Sequence, residues 1–461
     1  MTAKKLRKIE TFIKPASLLL AAFITLSCAT NSKSYKGIDL AVGQDNFQAA
    51  VEAIDKGQEE KKVIYPPKNA VMLFLDRGLI EHYAGNFESS SVDLQNAERL
   101  IEEAYTKSVS QGFFSYILND NTKDYPGEDF EDIYINIFNA LNYFNRGNIE
   151  GALVEIRKLS MQSGKLDMLS RKYEYTDPKS GAGIDEMVKK ETGVNEVPKI
   201  KTSSFSNSAL ARFLSALFYQ GEGNADSARI EFQQIHRAFE GNNNVYRGSV
   251  PKAVEDAQNV PEGKARLNII SFTGLSPVKE EQKIEYFFPF FQHFVLQLYV
   301  FKVPKLVKRP SLINRIEIVI DNGDNGQKFD LELLEDIGSV IEETFAVRSS
   351  QIFLKTYIRA IIKYALADIA AIETARRQGA FAGFLVAIAA RKGLEATESA
   401  DIRMSRYLPD KAYVGGIDLD PGTYSVIINY YNGSNVVAKS EFNDVEVKLD
   451  GLNLLESVKL K

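Results

Sequence analysis

Residues able to do chemistry are few and scattered. The 461-residue chain has one cysteine, Cys28, and three histidines, His82, His236 and His293. None of the histidines has a His or Glu partner at the spacing of a metal site. No glycine-rich loop precedes a lysine at phosphate-binding spacing, and no Gly-x-Ser-x-Gly turn presents a nucleophile. Carboxylates remain. Glu398, Asp401 and Arg403 form one compact charged set. It could clamp a ligand or serve as an acidic site; an ion pair docking a helix against the strands that follow is the simpler reading. Glu128-Asp129-Glu131-Asp132 is a second acidic group. It is expected to begin a helix, where the partial positive charge of the N-terminus favours carboxylates. The chain is therefore read as non-catalytic, with no metal and no cofactor.

Cys28 takes its meaning from what precedes it. Lys4, Lys5, Arg7, Lys8 and Lys14 make a basic start, and residues 16–26 are apolar. A run of that length is too short to span a bilayer core, which needs about 20 helical residues. It reads as a secretory signal. Thr25-Leu26-Ser27-Cys28 resembles a bacterial lipobox, with Thr25 where leucine is usual. The resemblance implies a signal peptide over residues 1–27, a covalent lipid on Cys28 and a tether over residues 28–44. Ala29 after the cysteine implies the outer membrane. A solitary cysteine forms no internal disulfide, so the chain must hold together by packing. Residues 1–27 carry five basic charges and one acidic charge, so their removal takes the net charge from −5 to −9. That balance speaks against a nucleic-acid partner.

The elements that position these residues fall into two regions. Three Gly-Asn pairs, at Gly85-Asn86, Gly147-Asn148 and Gly223-Asn224, share one pattern. A small residue lies seven before each glycine (Gly78, Ala140, Ala216) and another five after it (Ser90, Ala152, Ala228). Apolar residues follow at nine (Leu94, Ile156, Phe232) and twelve (Ala97, Leu159, Ile235). The pattern resembles the tetratricopeptide repeat, a helix–turn–helix unit of about 34 residues. Small residues let the two helices approach, the glycine ends the first helix with φ > 0, and the asparagine caps the second. Glu81 replaces an aromatic residue and Ser90 an alanine in the first copy. A helical repeat domain is expected over residues 45–240, with a charged loop near 165–204 and a linker over 241–264.

Residues 265–461 change character. Residues 267–273 and 313–320 read as strands, and residues 329–345 and 351–378 as helices, within a helical stretch at 329–398. The apolar run 380–390 lies between Arg376-Arg377 and Arg391-Lys392. It reads as a buried helix packed through small residues, with a membrane-surface helix as the other reading. Strands at 414–419, 423–431, 436–449 and 454–460 are separated by Asp420-Pro421-Gly422 and Asn432-Gly433-Ser434 turns. They predict a small antiparallel β-unit over 411–461. The expected fold class is α+β multidomain, with N-terminal all-α repeats.

The chain also resembles an uncharacterised family of bacterial lipoproteins with degenerate tetratricopeptide repeats. The residues that carry this are Asn69-Ala70-Val71-Met72-Leu73-Phe74-Leu75-Asp76-Arg77-Gly78 with Gly85-Asn86-Phe87, and Gly274 with Ser276-Pro277-Val278-Lys279. Glu398-Ser399-Ala400-Asp401-Ile402-Arg403, Leu408-Pro409 and Asp420-Pro421-Gly422-Thr423-Tyr424 complete the set. The resemblance implies an envelope lipoprotein that binds partner proteins or peptides and is held to a membrane by its lipid. A scaffold would use a groove lined by first-helix faces, so Leu79, His82, Leu141, Phe144, Leu217 and Gln220 are the candidate contact residues. A glycan or ligand binder, or a hydrolase, would instead act through the C-terminal region, with Glu398, Asp401 and Asp420 as the first places to look.

Overall fold

The computed structural model describes residues 35–59, 63–108, 123–160, 165, 205, 207–290, 295–321, 326–397 and 399–460. The signal segment, Cys28, His293, Glu398 and nearly all of the 165–204 loop lie outside the described residues. The fold is α+β and multidomain: paired helices come first, and an α+β region with antiparallel sheets follows.

The helices pair as the turn chemistry requires. Helices α3 (Ala70–Tyr83) and α4 (Phe87–Ser108), α5 (Asp129–Asn145) and α6 (Ile149–Ser160), and α7 (Ala209–Gly221) and α8 (Ala225–Gly241) meet at the three Gly-Asn turns. Gly85, Gly147 and Gly223 have φ of 81°, 71° and 78°. In each turn the asparagine N–H donates to the carbonyl five residues back, that of Glu81, Tyr143 or Tyr219. Each glycine N–H donates to the carbonyl three back. These bonds close the end of the first helix. The residues at five, nine and twelve after each glycine are all buried. A Cβ on Gly78 would sit 2.9 Å from Leu94 Cδ2, which is why a small residue stands there.

A fourth pair precedes these three. Helices α1 (Lys36–Gly43) and α2 (Phe47–Glu59) are joined by Asp45-Asn46. Asn46 N–H donates to Ala41, five back, and Asp45 takes φ 55° in place of glycine. Tyr35, Ile38 and Val42 are buried. The stretch expected as a tether up to residue 44 is thus folded from residue 35, because its apolar residues have a core to enter. Each second helix packs on the first helix of the next pair.

Strands β1 (Ala265–Leu275), β6 (Glu332–Asp336), β7 (Pro409–Leu419) and β10 (Asn453–Lys459) form one sheet in the order β10-β1-β7-β6. Strands β4 (Arg315–Asp321), β5 (Gln327–Asp330), β8 (Gly422–Asn432) and β9 (Asn435–Val447) form a second, ordered β5-β4-β8-β9. Strands β2 (Val278–Phe290) and β3 (Val295–Val307) make a separate hairpin. The expected terminal β-unit is therefore divided: β7 and β10 flank β1, with β10 parallel to it, while β8 and β9 join β4.

Strand β1 is buried on both faces. Ile270 and Phe272 belong to the core of the helical pairs, and Phe138 of α5 meets Phe272 at 5.0 Å between ring centroids. Leu267 and Ile269 face the second sheet, with Ile316, Ile318, Val426 and Ile428. Helices, first sheet and second sheet thus stack as three layers. The segment expected as a linker is also packed: Val245 and Tyr246 are buried, as are Ala253 and Val254 of α9 (Lys252–Asp256).

The long helices start later than expected. Residues 329–330 and 332–336 belong to β5 and β6, since pairing of β6 with β7 overrides the helix propensity of Leu333, Leu334 and Glu335. Helix α10 (Ile337–Gln378) begins where the Asp336 side chain accepts from Ser339 N–H at 2.8 Å. Gly379, with φ 97°, turns the chain into α11 (Ala380–Thr397). The small-residue packing expected there is present, since a Cβ on Gly383 would lie 2.5 Å from Ala375 Cβ. Burial of the whole helix is not: Phe381, Phe384, Leu385 and Ile388 are exposed.

Candidate functional site

The first-helix faces are not an open groove. Leu79, His82, Leu141 and Leu217 are buried, and Phe144 and Gln220 are half-buried. The structure thus brings the six candidates to one side of the repeats, but the first sheet and the segment around α9 cover that side. Gln220 Nε2 donates to the Ala257 carbonyl at 3.0 Å, and Gly221 abuts Leu452 just before β10. The chain supplies its own occupant for the surface where a partner was expected.

His82 makes a close polar contact across this seam. Its Nδ1 lies 2.7 Å from Asn142 Oδ1 and its Nε2 2.6 Å from Glu456 Oε1 on β10. Asn142 Nδ2 donates to Ser90 Oγ at 2.8 Å, which directs the amide oxygen at the imidazole. Two acceptors suit a doubly protonated ring. Burial draws the His82 pKa down, but the Glu456 charge and both hydrogen bonds more than offset this and hold it above its ordinary value. Ser90 has a reason to replace alanine, since its Oγ also donates to the Gly78 carbonyl at 2.6 Å. Glu81 likewise accepts from Asn86 Nδ2 at 2.6 Å.

A strap at residues 399–408, between α11 and β7, clasps the helical pairs. Buried Asp76 of α3 accepts from Ser405 Oγ and Arg406 N–H, both at 2.8 Å, and from Tyr65 OH at 2.9 Å. Buried Glu131 of α5 accepts from Ser405 N–H at 2.6 Å and from Tyr125 OH and Glu128 N–H at 2.8 Å. Burial pushes Asp76 up to about 6 and Glu131 up to about 7, the latter helped by the neighbouring Glu128 charge. Arg406 reaches Asp39 of α1 at 2.9 Å, and Glu128 pairs with Lys279 and Arg348. The acidic group at 128–132 does begin a helix.

The Asp401–Arg403 pair is present, with Nε to Oδ1 at 2.8 Å and Nη2 to Oδ2 at 2.9 Å. Burial pushes Asp401 up, but the Arg403 bonds and charge hold it below the usual carboxylate range. Arg403 then donates to the Lys123 carbonyl at 2.7 Å, so the pair docks the strap on the helical region rather than a helix on the strands. A further buried carboxylate, Glu335, accepts from Tyr134 OH at 2.6 Å, Tyr246 OH at 2.7 Å, Ser208 Oγ at 2.9 Å and Leu210 N–H at 3.2 Å. Burial raises its pKa.

Asp76, Glu335 and Glu456 were not singled out from the sequence as polar sites, and Glu131 only as part of an acidic helix start. A signal existed for Asp76, a lone carboxylate within the apolar run 71–80 at a phase shared with Met72 and Leu79. Burial raises the pKa of Asp76, Glu131 and Glu335, and the donors of their own chain that enclose them offset part of this rise. The nearby chemistry is saturated rather than poised. A cavity of about 280 Å³ lies elsewhere, lined by His236, Phe239, Glu240, Gly248, Ser249 and Val250. Among the described residues no group of His, Cys, Asp or Glu is arranged to hold a metal ion.

The repeats do present a surface on their other side. Seven residues after each glycine stand Val92, Val154 and Ile230, which are 55%, 50% and 47% exposed. At 100° per residue this position points about 160° away from the buried fifth and ninth positions. The equivalent residue of the first pair is Glu52, which is exposed. Three second helices therefore carry a β-branched apolar residue outward at one repeated position. Comparison with protein-family models, curated proteins and solved structures finds no match to this chain.

Proposed function

We propose that this chain is a non-catalytic, lipid-anchored scaffold of the bacterial cell envelope that docks a protein or peptide partner. The docking face is the outer row of second helices, not the first-helix side. The row of Val92, Val154 and Ile230 carries the reading, because a solvated helix surface has no packing reason to repeat an exposed aliphatic residue at one phase. With the first-helix side already covered by β1 and β10, this side is left for a partner. The lipobox at Cys28 supports an outer-membrane location, where acyl chains anchor durably. Buried carboxylates fully engaged by internal donors favour docking over hydrolysis.

The test is site-specific photo-crosslinking in native membranes, with the probe at Val154 and a control probe at exposed Leu40 on α1. A defined adduct is expected from Val154 and not from Leu40. Val92→Asp with Ile230→Asp should abolish it without lowering stability, since both sites are exposed. An adduct that survives those substitutions, or arises equally from Leu40, refutes the assignment.

A further inference from the structure

Helix α11 has its residues arranged opposite to the pattern of a core helix. A small residue faces inward: Gly383 is buried against Ala371 and Ala375 of α10, close enough that a Cβ would meet the Ala371 carbonyl at 2.7 Å. Its large apolar residues face outward. Phe381 is 73% exposed and Phe384 59%, and Leu385 and Ile388 are also exposed. The spacing 381, 384, 385 and 388 places all four on one helical face. Ile372 of α10 is exposed near the same turn. A helix that closes a core buries its large side chains, because these gain most on leaving water. This hairpin spends its inner face on close backbone approach and presents the large side chains to the surroundings.

Charge identifies the occupant. Arg376 and Arg377 are exposed on the last turn of α10, immediately before the apolar face begins, and Arg377 also pairs with Glu373 at 2.8 Å. Arg391 and Lys392 follow at its far end on α11. An apolar face with exposed arginines at one end, and with Arg391-Lys392 next in sequence at the other, matches the acyl region and phosphate headgroups of an anionic bilayer. A symmetric contact with a second copy would instead set like charges near one another. Among the described residues no helix is long and apolar enough to cross a membrane, so the fit is to its surface.

We propose that the exposed face of α11 inserts into the headgroup and acyl boundary of a bilayer rich in anionic phospholipid. This holds the α+β region against the membrane that carries the lipid anchor. The contact goes beyond partner docking and does not depend on acylation of Cys28.

The chain has no tryptophan, so one introduced residue reports alone. Full-length Phe384→Trp is reconstituted in vesicles of phosphatidylethanolamine and phosphatidylglycerol, with and without brominated acyl chains. Val154→Trp serves as the exposed control on α6. The expected result is blue-shifted emission and loss of most intensity to brominated lipid at position 384, with neither at 154. Replacing phosphatidylglycerol by a neutral lipid, or Arg376→Glu with Arg377→Glu, should reduce the quenching. Water-like, unquenched emission at 384 overturns the proposal. So does a blue shift that grows with protein concentration in detergent and ignores brominated lipid, which would assign the face to a second copy. Equal quenching in neutral and anionic vesicles removes the charge argument and overturns the stated lipid class. Quenching at 384 with no partner adduct at 154 leaves this contact standing while the docking role fails.

Discussion

Two apolar helix faces of this molecule have opposite fates. The first-helix face, with Leu79, Leu141 and Leu217, is sealed by the chain's own sheet. The face of α11, with Phe381 and Phe384, is left open. Both are apolar stripes at helical spacing, so periodicity alone ranks them equally. The difference lies in what the rest of the chain brings. Strand β1 offers Ile270 and Phe272 to the repeats, whereas the described residues offer no such cover to the outer face of α11. A stripe says which residues act together; only topology says whether their partner is internal.

The sharpest way to break this comparison is to cut the internal partner. Phe272→Ala should cost about 3–5 kcal/mol, the range for a buried aromatic residue. The loss should appear in the unfolding of helices and strands together, because Phe272 touches Phe138 across the layer boundary. Val154→Asp, on the exposed row, should change stability by less than about 0.5 kcal/mol. Chemical denaturation followed by circular dichroism reads both. A Phe272→Ala protein whose helices and sheets melt in separate transitions would show that the layers do not share a core.

A smaller effect tests the strap that locks the sheet onto the repeats. Glu131 is pushed up to about 7 from its ordinary 4.5, so the folded chain keeps a proton that the unfolded chain has released across that window. By linkage its contribution makes stability fall as pH rises from about 4.5 to about 7, by on the order of 3 kcal/mol. Asp76, pushed up to about 6, acts with the same sign. Glu98 has the opposite sign. Burial pushes it up, but Lys165 and Lys158 hold it down at about 2, so its stabilisation is lost as pH falls from 4.5 towards 2. Glu131→Gln removes the titrating group and should flatten the fall between pH 4.5 and 7. An unchanged slope in denaturation midpoints across that range would mean that the Ser405 and Tyr125 bonds do not report on Glu131 charge.

Much of the helical region was legible because its turns use special residues. Positive φ favours glycine at 85, 147 and 223, and the buried fifth, ninth and twelfth positions follow from that register. The terminal strands were legible through the turns near 420 and 433. Three things were not. Helix α1 escaped because Asp45 replaces the glycine that marks the other turns. Strand β6 escaped because its residues favour helix locally and are held extended by β7, about 80 residues away in sequence. Closure of the groove escaped because His82 and its partner Glu456 are 374 residues apart, a distance over which spacing carries no signal.

The smallest predicted effect asks whether the overlooked pair is built like the other three. A Cβ on Gly223 would meet nothing within 4 Å, so Gly223→Ala isolates backbone strain at φ 78° and should cost about 1–2 kcal/mol. Asp45 already bears such strain at φ 55°, eased by the tolerance of Asp for this region, and its carboxylate lies 3.4 Å from Lys459 Nζ. Asp45→Gly relieves the strain, loses that pair and loosens the unfolded chain. Its net change should stay under about 1 kcal/mol and should not resemble the loss at Gly223. If thermal melting shows Asp45→Gly to be as damaging as Gly223→Ala, the Lys459 contact, and not the turn, is what holds α1 and α2 to the remaining pairs.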